Sequence, residues 1–269
     1  MTDADCVAFL QWALPRLGLR WPGFRKVRRQ VCKRIERRVR ELGLRGVAAY
    51  RRELESKERE WHELARLCTV TISRFYRDRA VFDCLGAEVL PALAQAALER
   101  GERQLDCWSV GCACGEEAYT LAIQWQLSVR QRFPTLGLQV LGTDADAKLL
   151  ERANAACYKR SSLEELPAAW REQAFEPRAK AFCLREEYRG AVEFDRQDLL
   201  ADLPQRRFAL VLCRNLAFTY FGPELARKAL ERIASRLHTG GALVIGLHEQ
   251  LPEGTDLHPW PGCRAIYAH

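Results

Sequence analysis

Apolar residues in the first quarter of the chain recur at the spacing of an amphipathic helix. Over 26–42 one stripe of apolar side chains comprises Val27, Val31, Ile35, Val39 and Leu42. This three-to-four-residue spacing predicts a helix that ends at Gly43. Similar patterns predict two further helices, over 46–54 and 58–67. Only helical patterns occur in residues 1–66, so this part of the chain is expected to be all helical.

After Gly101 the pattern changes to short apolar runs that alternate with helical stretches. The runs predict strands over 105–110, 138–142, 192–194, 208–212 and 242–246. Helices are expected to begin near 118, 148 and 223. Apolar strands separated by helices are typical of a parallel sheet that is covered on both faces.

These patterns predict an α/β protein with two modules. We expect a small all-helical N-terminal domain over 1–68, followed by a linker and helix over 69–100. A Rossmann-like, doubly wound domain with a mostly parallel sheet is expected over 101–269, with a small insertion at about 159–195.

Positive charge is concentrated in the first module. Residues 1–66 contain 17 Lys and Arg against 9 Asp and Glu, a net charge of +8, whereas the other residues contain 25 against 26. Eight of these cations lie on the predicted 26–42 helix, and Arg29, Lys33 and Arg37 are candidate residues for docking an acidic partner. The alternatives are a solvated helix surface and a nucleic-acid-binding face.

Composition narrows the class of protein. The chain has 269 residues, of which 48% are hydrophobic and 29% charged, as in ordinary globular proteins. It has no basic-then-apolar leader and no apolar run near the ~18 residues of a membrane span, which predicts a cytoplasmic protein without membrane insertion. Its eleven cysteines are therefore expected to be reduced. Cys112 and Cys114 lack zinc-site spacing, and no metal site is predicted.

The loop after the first predicted strand of the sheet is a candidate cofactor site. Glycines in 111–115 let a ligand approach the backbone closely. Glu116 and Glu117 follow at the helix start, where two carboxylates would repel a diphosphate. They suit a cationic donor such as S-adenosylmethionine. The alternative is an acidic first turn that only complements the helix dipole.

Polar residues also follow the other predicted strands. Asp144 is placed to accept hydrogen bonds from ribose hydroxyls, unless it caps the next helix in place of Asp146. Asp198 can accept from an adenine amine, with Leu199 against the ring. The segment 213–215 follows the most apolar strand and should lie at the ligand edge of the sheet.

Six segments, taken in order, resemble the CheR-type methyltransferases, which methylate glutamate side chains of bacterial chemotaxis receptors. The segments are 69–78, 111–122, 142–146, 198–200, 208–221 and 240–249. The basic helix also resembles that family's N-terminal domain, so the resemblance spans roughly 15–250.

The resemblance implies a class I methyltransferase domain that uses S-adenosyl-L-methionine and releases S-adenosyl-L-homocysteine. Arg77 and Tyr220 would be catalytic residues. Four residues separate Asn215 from Tyr220 where the family has three, which can displace Tyr220 from the methyl site. The cofactor-binding residues would be Thr71, Ser73, Arg77, Gly111, Cys112, Glu117, Asp144, Ala145, Asp198, Leu199, Cys213, Arg214 and Asn215.

The resemblance also implies a substrate. We expect a monomeric enzyme that methylates glutamate carboxylates on an acidic protein, with a helical receptor domain as the candidate. Alternatives are a methyltransferase of the same fold acting on a small molecule or another protein, a nucleic-acid-binding module, and a non-catalytic sensor of the cofactor.

Overall fold

The computed structural model describes residues 2–269, which divide into two compact units. The helical unit consists of residues 2–71 and 219–226. The sheet unit consists of residues 72–218 and 227–269. The predicted α/β class, with an all-helical N-terminal part followed by a mostly parallel sheet, is confirmed.

The N-terminal part of the helical unit contains five helices: α1 (Asp3–Arg16), α2 (Trp21–Phe24), α3 (Arg28–Glu41), α4 (Val47–Ser56) and α5 (Glu58–Leu67). The predicted stripe of α3 is the reason that it packs, since Val31, Ile35 and Val39 are buried. Helix α1 begins with a capping box in which Thr2 accepts from the Asp5 amide and Asp5 accepts from the Thr2 amide.

A buried polar cluster joins three helices of this unit. The Glu60 carboxylate accepts from Arg38 Nε and Nη2 at 2.9 and 2.8 Å, and from the Tyr50 hydroxyl at 2.9 Å. The Arg38 guanidinium lowers the pKa of Glu60 and outweighs the effect of burial. Arg38 is therefore structural, although its position in the cationic helix gives no sign of this.

The second segment of the helical unit contains Tyr220. The Arg20 amide donates to the Tyr220 carbonyl at 2.8 Å, and Leu19 and Phe221 form an antiparallel bridge. The Tyr220 ring lies edge-on to Phe24 with 5.0 Å between centroids. Tyr220 is thus anchored in the helical unit by its backbone and its ring.

The remaining α-helices are α6 (Arg79–Cys84), α7 (Leu90–Glu99), α8 (Glu116–Gln124), α9 (Ala147–Ala155), α10 (Ala168–Ala174), α11 (Glu186–Arg189), α12 (Ala217–Tyr220) and α13 (Pro223–Ala234). The π-helix Leu85–Val89 joins α6 to α7, and the π-helix Trp125–Val129 follows α8. The strands are β1 (Gln104–Val110), β2 (Gly137–Asp144), β3 (Cys157–Tyr158), β4 (Phe175–Arg178), β5 (Ala181–Leu184), β6 (Val192–Arg196), β7 (Phe208–Leu212), β8 (Leu237–Val244), β9 (His258–Pro259) and β10 (Ile266–Ala268).

The main sheet has seven strands in the order β6-β2-β1-β7-β8-β10-β9. Neighbouring strands from β6 to β8 are parallel, and β10 pairs antiparallel with β8 and β9. The bounds of the strand predicted over 242–246 are wrong at both ends, because β8 begins at Leu237 and ends at Val244. Its early start lies before a register shift in the pairing with β7, between Phe208 and Leu210. The apolar runs of β1, β2 and β7 are buried as predicted.

The expected insertion contains a second, smaller sheet. Its three antiparallel strands lie in the order β3-β5-β4, and β4 and β5 fall inside 159–195. Tyr158 on β3 packs edge-on against Phe75 with 4.8 Å between ring centroids. Its hydroxyl donates to the Cys114 carbonyl at 2.7 Å, which connects this small sheet to the loop after β1.

Six of the eleven cysteines form disulfides, so the prediction that all are reduced is wrong. The pairs are Cys6–Cys32 in the helical unit, and Cys84–Cys263 and Cys157–Cys183 in the sheet unit. The partners are 26, 179 and 26 residues apart, and such spacings carry no local pairing signal. The five free cysteines, which are all buried, are Cys68, Cys107, Cys112, Cys114 and Cys213.

One helical stretch of the described residues, Arg79–Glu99, is long and apolar enough to cross a membrane by length and composition alone. The sequence prediction did not anticipate it, because charged residues interrupt the run. Its side chains Phe82, Leu85 and Leu90 are buried in the core of the sheet unit. That is the ordinary environment of an apolar core helix.

Candidate functional site

The candidate site lies at the carboxyl ends of the parallel strands of the sheet unit. From β1 the chain proceeds outward to β2 and β6, then returns to β7 on the other side of β1. Such a reversal opens a crevice at the carboxyl ends of the strands, where α/β proteins bind ligands. The segments that follow β6, β2, β1, β7 and β8 meet at this edge.

The loop over 111–115 has a backbone that suits close approach of a ligand. Gly111 and Gly115 have φ of 66° and 85°, and Ala113 between them has φ of 52°. A Cβ at Gly111 would lie 2.4 Å from Leu216 Cδ2, and one at Gly115 would lie 2.8 Å from Phe194 Cζ. Both glycines are therefore required by packing as well as by backbone conformation.

Asp144, at the end of β2, accepts two backbone hydrogen bonds. Its Oδ2 accepts from the Ala113 amide at 3.0 Å, and its Oδ1 accepts from the Asp146 amide at 2.9 Å. Asp146 caps α9 by accepting from the Lys148 amide at 2.9 Å, so Asp144 is not the cap. Burial raises the pKa of Asp144. Each carboxylate oxygen keeps one acceptor position, which suits ribose hydroxyls.

Glu117 is neutralised by an ion pair inside the site. Its Oε2 lies 3.0 Å from Arg214 Nη1, and its Oε1 accepts from the Ser109 hydroxyl at 2.8 Å. The Arg214 side chain is only 3% exposed and also lies 2.8 Å from Asp78 Oδ2. Arg214 thereby links the segment after β7 to α8 and to the segment before α6.

Glu116 is buried, in contrast to the expectation that both glutamates face the ligand. Burial raises the pKa of Glu116, and the Ser73 side chain only partly opposes this shift. Within residues 2–269 its Oε2 has no hydrogen-bond partner. The two glutamates therefore do not present a pair of free negative charges to the ligand, as the sequence predicts, because Glu117 is paired with Arg214 and burial disfavours the charged form of Glu116.

The segments after β6 and β7 complete the edge. Asp198 is exposed and its Oδ1 accepts from the Leu200 amide at 2.9 Å, whereas Leu199 is buried. Cys213 is fully buried, and burial raises the pKa of its thiol. Asn215 has φ of 56°, and its amide donates to Glu249 Oε2 at 2.8 Å.

Arg77 and Ser73 belong to the sheet unit and are both half-buried. Arg77 Nη1 donates to the Ile72 carbonyl at 2.7 Å. Thr71 and Tyr220, by contrast, are in the helical unit, and Thr71 is exposed. The catalytic role of Tyr220 stays a prediction.

Two further candidate cofactor-binding residues are Cys112, in the loop after β1, and Ala145, directly after β2. Burial raises the pKa of the Cys112 thiol well above its usual value, with the Asp144 carboxylate adding to the effect. Such a thiol is a poor nucleophile. Ala145 is exposed, and its carbonyl accepts from Arg196 Nε at 3.2 Å.

Sequence reasoning missed four residues that shape this site: Ser109, which bonds Glu117; Asp78, which pairs with Arg214; Thr120, which accepts from the Tyr76 amide; and Glu249. Glu249 Oε2 accepts from the Gly246 amide at 2.6 Å as well as from Asn215. The available signal for Glu249 was an acid in the segment that follows the last parallel strand, five residues after β8 ends. Ser109 and Thr120 gave no signal, because hydroxyls are common in buried helices and strands.

The polar groups at this edge of the sheet suit S-adenosylmethionine. Asp144 has spare acceptors at the end of β2, and Gly111 and Gly115 in the loop after β1 have the left-handed backbone that lets a ligand approach closely. The carboxyl group of Glu116 occupies the first turn of α8, the position at which dinucleotide-binding folds hold a diphosphate. The residues Gly111, Glu117, Asp144, Asp198 and Leu199 are the candidates to hold the cofactor.

The fold and the polar groups of this site define an S-adenosylmethionine-dependent methyltransferase of the Rossmann-like class. Residues 71–264 match the family model described as "CheR methyltransferase, SAM binding domain". The chain belongs to the CheR methyltransferase family.

The relatives with the same family features come from bacteria. The chain is 36% identical over 194 residues to the chemotaxis protein methyltransferase of Listeria innocua serovar 6a, covering 72% of this chain and 71% of that protein. It is 29% identical over 235 residues to a probable chemotaxis protein methyltransferase of Rhizobium etli, covering 85% and 86%. Among solved structures, the chain aligns with that of the glycopeptide N-methyltransferase MtfA complexed with S-adenosyl-L-methionine. The alignment covers 56% of this chain and 48% of that chain, at 14% identity and a TM-score of 0.33.

Proposed function

We propose that this protein transfers the methyl group of S-adenosyl-L-methionine to glutamate carboxylates of an acidic, chemotaxis-receptor-like protein. Support comes from the relatives, which are named chemotaxis protein methyltransferases. The observation that carries the proposal is the position of Arg77, a half-buried residue whose carbonyl accepts from Arg214 Nη2 at 2.7 Å at the cofactor edge of the sheet. A guanidinium can hold a carboxylate by two parallel hydrogen bonds.

The proposed reaction requires little of the protein beyond alignment of the methyl donor and the acceptor carboxylate. S-adenosylmethionine, when bound, supplies a methyl group on a cationic sulfur. A glutamate side chain is already ionised at pH 7, so no general base is needed to prepare it as the nucleophile. Arg77 would orient that carboxylate, and it cannot act as a base because it stays protonated. Ordering the two reactants and excluding water would provide most of the acceleration.

Helix α3 supports an acidic partner. Arg29, Lys33 and Arg37 lie four residues apart on this helix, and all three are exposed. Arg28 of the same helix pairs with Asp3 at 3.2 Å, and Arg37 Nε lies 3.6 Å from Glu41 Oε1. The Arg37 pair is exposed and therefore weak. The exposed group therefore forms a docking face whose charge is available to a protein rich in Asp and Glu. The methyl acceptor, on this proposal, is the cytoplasmic part of a receptor, and the enzyme acts as a cytoplasmic monomer.

Carboxyl methylation can be tested by the lability of its product. Purified protein, S-adenosylmethionine with a tritiated methyl group and a receptor-type cytoplasmic fragment should yield labelled protein that releases volatile methanol in mild base. Methylated nitrogen does not release methanol, so base-stable label would contradict the proposal. The same assay on a glutamate-to-alanine fragment is the control for the acceptor.

Arg77→Ala tests the role of the guanidinium. We expect transfer to fall about 100-fold or more, because orientation of the acceptor is lost. The affinity for S-adenosyl-L-homocysteine, measured by calorimetry, should change far less. Equal losses in transfer and in affinity would count against Arg77 as the group that orients the carboxylate.

A further inference from the structure

The segment 72–78, which carries Arg77, has a strained backbone. Tyr76 and Asp78, on either side of Arg77, have φ of 58° and 61°. Left-handed conformations at non-glycine residues persist only where the surrounding structure holds them in place. Contacts between this segment and the rest of the sheet unit must therefore hold the backbone on both sides of Arg77.

Arg214 holds the C-terminal end of the segment. Its Nη2 donates to the Arg77 carbonyl at 2.7 Å and to Asp78 Oδ2 at 2.8 Å. Arg214 is itself fixed by Glu117, at 3.0 Å from Nη1, and by Phe82, whose ring centroid lies 5.0 Å from the guanidinium carbon. One buried cation thus fixes two consecutive residues of the segment.

Backbone hydrogen bonds hold the middle of the segment. The Tyr76 amide donates to Thr120 Oγ1 on α8 at 3.1 Å, and the Phe75 amide donates to the Ser162 carbonyl at 3.0 Å. The segment is therefore tied to α8 at Tyr76 and, through Arg214 and Glu117, at its C-terminal end.

Arg77 itself is left available by this arrangement. Across residues 2–269, the Ile72 carbonyl is the one protein partner of its guanidinium, through Nη1. The other N–H groups of the guanidinium are free to donate to an acceptor. The ties described above constrain the backbone of Arg77, while its side chain keeps the capacity to bind.

We propose that Asp78 is a positioning residue for methyl transfer. Through Arg214, its carboxylate holds the left-handed turn that sets the direction in which the Arg77 side chain leaves the backbone. This inference rests on the proposed function of Arg77. Asp78 makes no contact with the reacting atoms in this role, so its loss should move the rate of transfer more than the affinity for the cofactor.

Asp78→Asn is the variant to test, because asparagine keeps the size of the side chain and tolerates the left-handed conformation. Asp3→Asn is the matched control, since Asp3 also pairs with an arginine but lies in the helical unit. In ligand-free protein, Asp78→Asn should speed amide hydrogen exchange of a peptide covering 72–78 by about tenfold. Asp3→Asn should leave exchange in that peptide unchanged, and unchanged exchange in both variants would overturn the proposal.

The kinetic arm separates positioning from a general structural defect. For Asp78→Asn we expect kcat to fall about tenfold or more with the KM for S-adenosylmethionine changed less than about threefold. In an Arg77→Ala background the same substitution should cost almost nothing further, because both act through one guanidinium. A full additional loss in that background would overturn the proposal. Wild-type protein that forms no base-labile methyl ester would instead refute the proposed function, and that measurement is independent of the variants.

Discussion

Arg214 and Glu117 form a buried ion pair at the end of β7, with 3.0 Å between Arg214 Nη1 and Glu117 Oε2. A second carboxylate, of Asp78, lies 2.8 Å from Nη2 of the same guanidinium. A buried charge is tolerated only when such partners compensate for its lost hydration. The two carboxylates and the arginine therefore act as one electrostatic unit at the cofactor edge.

Replacing Arg214 by methionine should destabilise the protein by about 3–5 kcal/mol, because Glu117 and Asp78 lose their shared counter-charge. Methionine keeps apolar contact with Phe82, so lost packing should contribute little. Urea unfolding gives the free energy. Arg206→Met is the control, since the Arg206–Glu193 pair is partly exposed and should be worth at most about 1 kcal/mol. Similar losses in both variants would contradict the electrostatic account.

Glu116→Gln should stabilise the ligand-free protein in a pH-dependent way. Burial raises the pKa of Glu116 in the folded state, so its neutral form is favoured there. A group of this kind supports folding below its unfolded pKa and loses that contribution as the pH rises through its folded pKa. The glutamine variant should melt about 1–4 °C above wild type at pH 8. The difference should shrink towards pH 5.

Thermal melts at pH 5 and pH 8 check this sign. Glu99→Gln is a suitable control, because Glu99 is exposed at the end of α7. A glutamine gain that is equal at both pH values would show that ionisation of Glu116 is not its cause.

The sequence predicts the parts of the fold that have a local period. The stripe of α3 is expected over 26–42 and observed over Arg28–Glu41, and the apolar run at 105–110 becomes β1. Strand β10 could not be found in the same way, since it has three residues and pairs antiparallel only after the chain returns past β8. Disulfide partners up to 179 residues apart are equally invisible to local pattern.

The same distinction between local patterns and long-range contacts applies to the residues of the candidate site. Asp144 and the 213–215 segment could be predicted because side chains that follow parallel strands meet at one edge. The pairing of Asp78 with Arg214, 136 residues apart, could not, because nothing in either local sequence specifies it. For the same reason the sequence could not show that Glu117 forms an ion pair with Arg214.

The disulfide Cys84–Cys263 should stabilise the oxidised protein, since it closes a loop of 179 residues. Loop-closure entropy for that length is worth about 3–5 kcal/mol. The double variant Cys84→Ala, Cys263→Ala should therefore unfold at lower urea concentration than oxidised wild type. In reductant the two proteins should be nearly equal, and a wild type that keeps its full stability there would contradict the prediction.

Charge reversal on α3 tests the docking face. Lys33→Glu places an anion between Arg29 and Arg37, so an acidic substrate should associate more slowly. We expect kcat/KM for the receptor fragment to fall about five- to tenfold at low ionic strength, and the effect to fade at 0.5 M salt as a consequence of screening. The affinity for S-adenosyl-L-homocysteine should not change. Lys228→Glu makes the same charge change at an exposed position of α13, and if it slowed transfer equally, net charge and not the docking face would explain the loss.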